Sequence, residues 1–206
     1  MFNQVLVNPP SPTSNADGQQ VYQLGGKQGE GLVSELHGKH FTANYRGKVF
    51  SASAAAVTVP VIASALVSVF TLYNPPASGV NMEMLSVDVA NVLATTVVDA
   101  VGLYYSTAVL TAAGTFTTKG TVQANVAGNS PSNAGLFYSA YTHSGTPVLL
   151  DIIGAYGAAT ASQGVSKFYD GRIIIPPGVA VSVAMSTGAS TGSGITLAAA
   201  WQESPI

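Results

Sequence analysis

His37-Gly38-Lys39-His40 sets two imidazoles three residues apart, near enough in sequence to reach one metal ion. Zinc needs three or four protein ligands. The chain has no cysteine, and its one further histidine, His143, lies more than a hundred residues away. With that shortfall the segment reads as polar surface, and neither a metal nor another cofactor is expected. Five acids, Glu83, Asp88, Asp99, Asp151 and Asp170, are of the type that glycoside hydrolysis uses. That chemistry needs two carboxyls set across a sugar. Glu83 stands between Met82 and Met84, and Asp88 between Val87 and Val89. Such neighbours mark outward positions on a half-buried strand, where polar side chains meet water. Spacing alone pairs none of the five. The glycine-rich run Gly25-Gly26-Lys27-Gln28-Gly29-Glu30-Gly31 lacks the Gly-Lys-Ser/Thr ending of a phosphate loop and reads as a linker. Absence of cysteine removes thiol catalysis, thiolate metal sites and disulfides. No residue set recommends an enzyme.

Aromatic side chains offer a second chemistry, stacking on sugars. Tyr104-Tyr105, Phe137-Tyr138, Tyr141, Tyr156 and Phe168-Tyr169 are the candidates, with Tyr104 and Tyr141 the ones to change in a test. Neighbours on a strand point to opposite faces, so one of each adjacent pair is expected in the core. A glycan platform is therefore the weaker of two readings.

The elements that hold these residues must be strands. Charged residues make up 8% of the chain, against about 25% in an average soluble protein. Hydrophobic residues make up 47%, and the formal net charge is −2, so no basic field points to nucleic acid or an anionic membrane. Charged surfaces ordinarily keep monomers soluble. A chain this poor in charge, diluted by Ala, Ser, Thr and Gly, suits a subunit whose surface is covered by neighbours. The N-terminal stretch MFNQVLVNPPSPTSNADG has neither a basic start nor an apolar h-region, so it does not read as a signal peptide. Ala54–Tyr73 has the length of a membrane span. Pro60 interrupts it, however, and Val57-Thr58-Val59 and Val67-Ser68-Val69-Phe70-Thr71-Leu72 alternate with the period of a half-buried strand.

Charge divides the chain near residue 50. Residues 1–50 hold four of the seven basic residues and two of the three histidines. Residues 8–18, rich in proline and polar side chains, cannot bury enough apolar area to offset their own ordering. We therefore expect an extended arm and junction over 1–50 and a β-sandwich body over 51–206. An arm of this kind can add a strand to a neighbour's open sheet edge. Candidate strands are 54–59, 65–73, 80–90, 96–106, 115–126, 135–142, 147–153, 165–169, 171–175, 179–186 and 194–202. Asp170-Gly171 is expected to turn a hairpin, and Pro176-Pro177-Gly178 a second reversal. Short strands at about ten-residue spacing indicate a sandwich or barrel. About eight to ten strands suit a jelly roll, whereas an immunoglobulin-type domain is smaller. The expected fold is all-β, a jelly-roll-like antiparallel β-sandwich with an extended N-terminal arm.

Three short stretches carry a resemblance. Leu36-His37-Gly38-Lys39 followed by Phe41, Tyr45-Arg46-Gly47 and Val49-Phe50-Ser51-Ala52 is the first. Leu72-Tyr73-Asn74-Pro75 with Ser78-Gly79 is the second, and the ending Trp201-Gln202-Glu203-Ser204-Pro205-Ile206 the third. Together they resemble small virion proteins of tailed bacteriophages, over residues 36–206. The resemblance implies a structural role as a capsid cement, decoration or head-spike subunit, made in the host cytoplasm and placed on the capsid surface. Its partners would be the major capsid protein and copies of itself, as a homotrimer or a dimer, with no nucleic acid and no membrane. Leu36, His37, Lys39, His40, Phe41, Tyr45, Arg46 and Lys48, at the arm–body junction, are the expected anchoring residues. The alternative is a tail or spike component that binds host-surface glycans.

Overall fold

The computed structural model describes residues 39–58, 67–68, 70–92, 99–106, 115–119, 121–125, 132–143, 146–156, 163–187 and 194–206. The expected arm up to residue 38 lies outside the described residues. The chain divides into two compact units, Met1–Phe41 and Thr42–Ile206. A short helix, α1 (Phe41–Tyr45), precedes strands β1 (Val49–Thr58), β2 (Val67–Ser68), β3 (Phe70–Tyr73), β4 (Val80–Asn91) and β5 (Asp99–Ser106). Then come β6 (Thr115–Lys119), β7 (Val122–Ala124), β8 (Leu136–Thr142), β9 (Val148–Tyr156), β10 (Gln163–Ile175), β11 (Ala180–Thr187) and β12 (Gly194–Pro205).

Two antiparallel sheets result. One runs β10-β4-β12-β1-β7; the other runs β2-β8-β3-β11-β5-β9, with β6 also on β8. Setting β2, β6, β7 and β8 aside leaves eight strands, β1, β3, β4, β5, β9, β10, β11 and β12. Their sheets then read sixth-third-eighth-first and second-seventh-fourth-fifth, the interleaving of a jelly roll with two Greek keys. The chain between β5 and β9 supplies β6, β7 and β8, which widen the sandwich on its β1–β3 side: β7 pairs β1 and β8 pairs β3.

Alternation places the core. On β12, Ile195, Leu197, Ala199, Trp201 and Glu203 point inward and their neighbours outward. On β4 the inward row runs Met82, Met84, then Val87, Val89 and Asn91, with Leu85 buried out of turn. The pairing shows why: Ala200 faces Ser86 and Trp201 faces Met84, leaving Leu85 as the extra residue of a bulge. One inserted residue reverses the phase of everything after it. Glu83 and Asp88, of unlike parity, thus both reach the outer, half-buried face. On the inner face of each sheet neighbouring strands pack ring on ring, Phe50 on Trp201 with centroids 6.0 Å apart and Phe70 on Phe137 at 4.7 Å. On β11 both faces are covered, Val181, Val183 and Met185 on one side and Ala180, Ser182 and Ala184 on the other. The small face is wired by hydroxyls: Thr71 Oγ1 lies 2.8 Å from Ser182 Oγ and 2.7 Å from Ser68 Oγ.

Two expectations are corrected. Asp170-Gly171 does not turn a hairpin, and 165–169 and 171–175 are one strand, β10. Both residues take positive φ, 51° and 80°, as such a turn requires. The strand nevertheless keeps its direction, because Phe168 pairs with Ser86 and Ile173 with Met84, absorbing the turn as a bulge. The single strand expected over 115–126 is two, β6 on one sheet and β7 on the other. In the span candidate, residues 54–58, 67–68 and 70–73 are strand, and no helix among the described residues is long and apolar enough to cross a membrane.

Candidate assembly surfaces

The junction before β1 holds most of the anchoring residues expected from sequence. α1 closes with a Schellman cap: Lys48 N–H donates to Ala43 O (2.9 Å) and Gly47 N–H to Asn44 O (2.8 Å). The cap turns the chain into β1, and Lys48 O accepts from Glu203 N–H, which ties the junction to β12 (2.9 Å). Phe41 and Tyr45, at the two ends of α1, are exposed, Tyr45 at 60%. Lys39, Arg46 and Lys48 are exposed and His40 is half-buried. Leu36 and His37 lie outside the described residues. Within the second unit, the stretch from Thr42 to Lys48 presents an exposed aromatic ring, Tyr45, and two exposed basic groups, Arg46 and Lys48.

Buried polar groups hold the same end of the sandwich. Asn74 donates through Nδ2 to Val80 O and Ile175 O, both at 2.8 Å. Its N–H donates to Val179 O (3.0 Å) and its carbonyl accepts from Gly178 N–H (2.7 Å). Pro75, Pro76, Pro176 and Pro177 have no N–H to give, so Asn74 joins the two proline turns. Glu203, 3% exposed, accepts from the N–H groups of Ala134 (2.9 Å) and Gly135 (2.8 Å) and from Trp201 Nε1 (3.3 Å). A Cβ on Gly135 would meet Met82 Sδ at 2.5 Å and Glu203 Oε1 at 3.1 Å, so a larger residue here must displace the tip of Met82. These are structural sites: the Asn74 Nδ2 donors and the Glu203 carboxylate are spent on partners within the chain, while Asn74 Oδ1 finds none among the described residues.

The opposite character appears on the side where β9 and β10 end their sheets. Val148, Leu149, Leu150 and Ile152 of β9, and Phe168 and Ile174 of β10, are exposed. A cleft of about 370 Å³ opens on this side, lined by Leu150 of β9, Arg172, Ile173 and Ile174 of β10, Tyr105 of β5 and Val181 of β11. Lys167 Nζ meets Asp151 Oδ2 at 2.8 Å and donates to Ile152 O at 2.6 Å, closing the two edges over each other. Burial alone would raise the Asp151 carboxyl, but the Lys167 ammonium outweighs it and holds the group below its usual range. Burial pushes the Tyr169 phenol up, and the Asp151 charge beside it adds to the shift.

The sugar platform loses its two test residues. Tyr104 and Tyr141 are buried at 5% and 0%, and burial pushes the Tyr141 phenol up to about 12. In each adjacent pair one ring is in the core: Tyr104, Phe137 and Tyr169 are buried, whereas Tyr105 and Tyr138 are half-buried and Phe168 is exposed. Of the acids, Glu83 accepts from Ser204 Oγ, and the described residues contain no group of three or more metal-ligating side chains. His143 is buried against Tyr141, ring centroids 4.6 Å apart. Neither of its nitrogens finds a hydrogen-bond partner among the described residues, and burial pulls its pKa down to about 4.

Sequence reasoning missed Glu203, although the inward parity of Trp201 extends to it. It also missed that Val148-Leu149-Leu150, three apolar residues without alternation, could not all face inward from one strand. Gly188-Ala189-Ser190-Thr191-Gly192 has the spacing of a serine-nucleophile elbow and lies outside the described residues. Such an elbow joins a strand to a helix, whereas this stretch lies between strands β11 and β12. No protein-family model, curated protein or solved structure matches this chain.

Proposed function

We propose that the chain is a non-enzymatic structural component of a phage virion, a capsid cement or decoration protein that binds the assembled lattice of the major capsid protein. The observation that carries this reading is the exposed aromatic and basic segment from Lys39 to Lys48, which leads in sequence into a jelly-roll body with few charges. A rigid plate with a separate anchor stabilises a shell by mass action when it binds the assembled state alone. Leu36 to Lys48 would contact the capsid protein, and the arm ahead of them would tether the plate to the lattice or to a neighbouring copy. The alternative, a tail or spike component recognising host glycans, rests on Tyr45 and Phe168, the two most exposed rings among the described residues.

Particles of the parent phage assembled without this protein provide the test. Added full-length chain should bind them at fixed stoichiometry and raise the temperature at which they release their contents. A chain lacking residues 1–35 should bind poorly; unchanged binding would overturn the anchoring role. Binding to glycans on an array, abolished by Phe168→Ser, together with no binding to particles, would favour the spike reading.

A further inference from the structure

Exposed apolar side chains are concentrated on one side of the body. Ten large hydrophobic residues are exposed among the described residues, and six of them lie on β9 and β10. Contiguous exposed apolar surface marks an interaction site. The row along β10 says what covers it. Phe168, Asp170, Arg172 and Ile174 are exposed, while Tyr169 and Ile175 are buried and Gly171 and Ile173 half-buried. In order, the exposed residues are apolar, acidic, basic and apolar. Reversing that row and laying it on itself about Gly171 sets Phe168 against Ile174 and Asp170 against Arg172, and does so twice. A surface that is its own complement is what a two-fold contact requires.

We infer that the chain forms a two-fold dimer through its β9–β10 side, Phe168 packing on Ile174 of the other copy and Asp170 pairing with Arg172 across the axis. Ile174 lines the cleft with Leu150, Ile173 and Val181, so Phe168 of the other copy arrives at an apolar recess. An aromatic anchor entering a pocket is the usual centre of interface energy. Arg172 donates Nε to Tyr169 O and Nη2 to Phe168 O, both at 3.3 Å. Those bonds use two of five guanidinium N–H donors and hold the fork at the bulge. The bulge at 169–172 breaks the regular edge of β10, so the contact is made by side chains and not by a continued sheet. A foreign partner would have no need of a row that complements itself. The dimer does not rest on the virion reading.

The mass of the full-length chain across a dilution series, by sedimentation or light scattering, provides the test. Wild type should have the mass of two chains. Phe168→Asp should weaken the dimer about a hundredfold, as loss of a central anchor does. Arg172→Asp and Asp170→Lys each place two like-charge pairs across the axis and should weaken it about tenfold. Mixed in equal amounts, these two variants should dimerise again, because each altered side chain then meets its opposite. Recovery on mixing also shows that both variants are folded. A wild-type monomer up to ~100 μM, a trimer, or a dimer indifferent to both charge changes would overturn the inference. Failure to bind particles by a chain that still dimerises would count against the virion reading alone.

Discussion

Two regions of the body reverse the ordinary rule of polar outside and apolar inside, in opposite directions. Beneath the proline turns, Asn74 and Glu203 are polar and buried. Along β9 and β10, Leu149, Leu150, Phe168 and Ile174 are apolar and exposed. The buried pair acts within one chain. Asn74 joins turns that are a hundred residues apart, and Glu203 holds the backbone at Ala134 and Gly135 against β12. Such groups fix which loops meet, because any other arrangement leaves buried backbone without partners. The exposed apolar side chains have no polar group with which to pair backbone inside their own chain. It contributes little to the fold, and its cost in water is relieved by covering it. Fold specification and partner specification are thus separated in space.

The largest expected effect is at the buried end. Glu203→Ala removes the acceptor of two backbone N–H groups and of the Trp201 indole. It should cost about 3–5 kcal/mol in urea unfolding, at roughly 1–3 kcal/mol for each buried group left unpaired. Glu203→Gln keeps one oxygen and should recover part of that loss. A loss under about 1 kcal/mol for the alanine variant would mean that Ala134 and Gly135 find other partners and that Glu203 specifies nothing.

Next is a dependence on pH. The His143 pKa falls to about 4 in the folded chain, through burial, from an ordinary value of 6.5. The unfolded chain therefore takes up this proton first as pH drops. The neutral ring's share of stability is complete above pH 6.5, declines between 6.5 and about 4, and is flat below. The interval corresponds to about 3 kcal/mol. His143→Phe should flatten the stability curve over that window. Asp151, held below its usual range by Lys167, loses its contribution at lower pH than His143 and does not mask the slope. A variant with the wild-type slope would place the titration on another group.

How far these regions could be read in the sequence differs between them. Strand positions were legible because alternation is local: β12 follows it along its length, and β4 on either side of the Leu85 bulge. The connection after Tyr73 was legible because Pro75 and Pro76 cannot join a ladder. Asp170-Gly171 misled, because the dipeptide dictates a backbone conformation, and whether that makes a hairpin or a bulge depends on pairing with β4. The crossing of 115–126 between sheets was hidden for a similar reason, since β6 pairs with β8 just ahead of it whereas β7 finds β1 far back in the chain. Tyr104 and Tyr141 could not be sorted from Phe168, because the face a strand buries is decided by the sheet it joins. Anchoring residues were placed at the junction where charge divides the chain, a feature that marks a boundary but names no partner.

Asn74→Ala should come third, at about 2 kcal/mol. Its side chain makes two bonds to carbonyls, and a carbonyl left with a spare lone pair costs less than an orphaned N–H. The main-chain bonds to Val179 and Gly178 survive the change, so the two turns should loosen without separating. Faster amide exchange at Val80, Gly178 and Val179, with the rest of β4 unchanged, would show that. Uniform loss of protection would instead make Asn74 part of the global unfolding unit.

Phe168→Ser should leave the fold almost untouched, within about 0.5 kcal/mol when unfolding is measured at a concentration where the chain is monomeric. The ring is 66% exposed, so truncation gives up little burial, and the inward neighbours Tyr169 and Ile175 keep their contacts. At high concentration the same variant should melt lower than wild type, because wild type gains from association and the variant does not. Glu203→Ala behaves in the reverse manner, with a penalty that is the same at every concentration. If Phe168→Ser destabilised the dilute chain by about 2 kcal/mol, the ring would belong to the core, and the separation of fold from partner along β10 would fail.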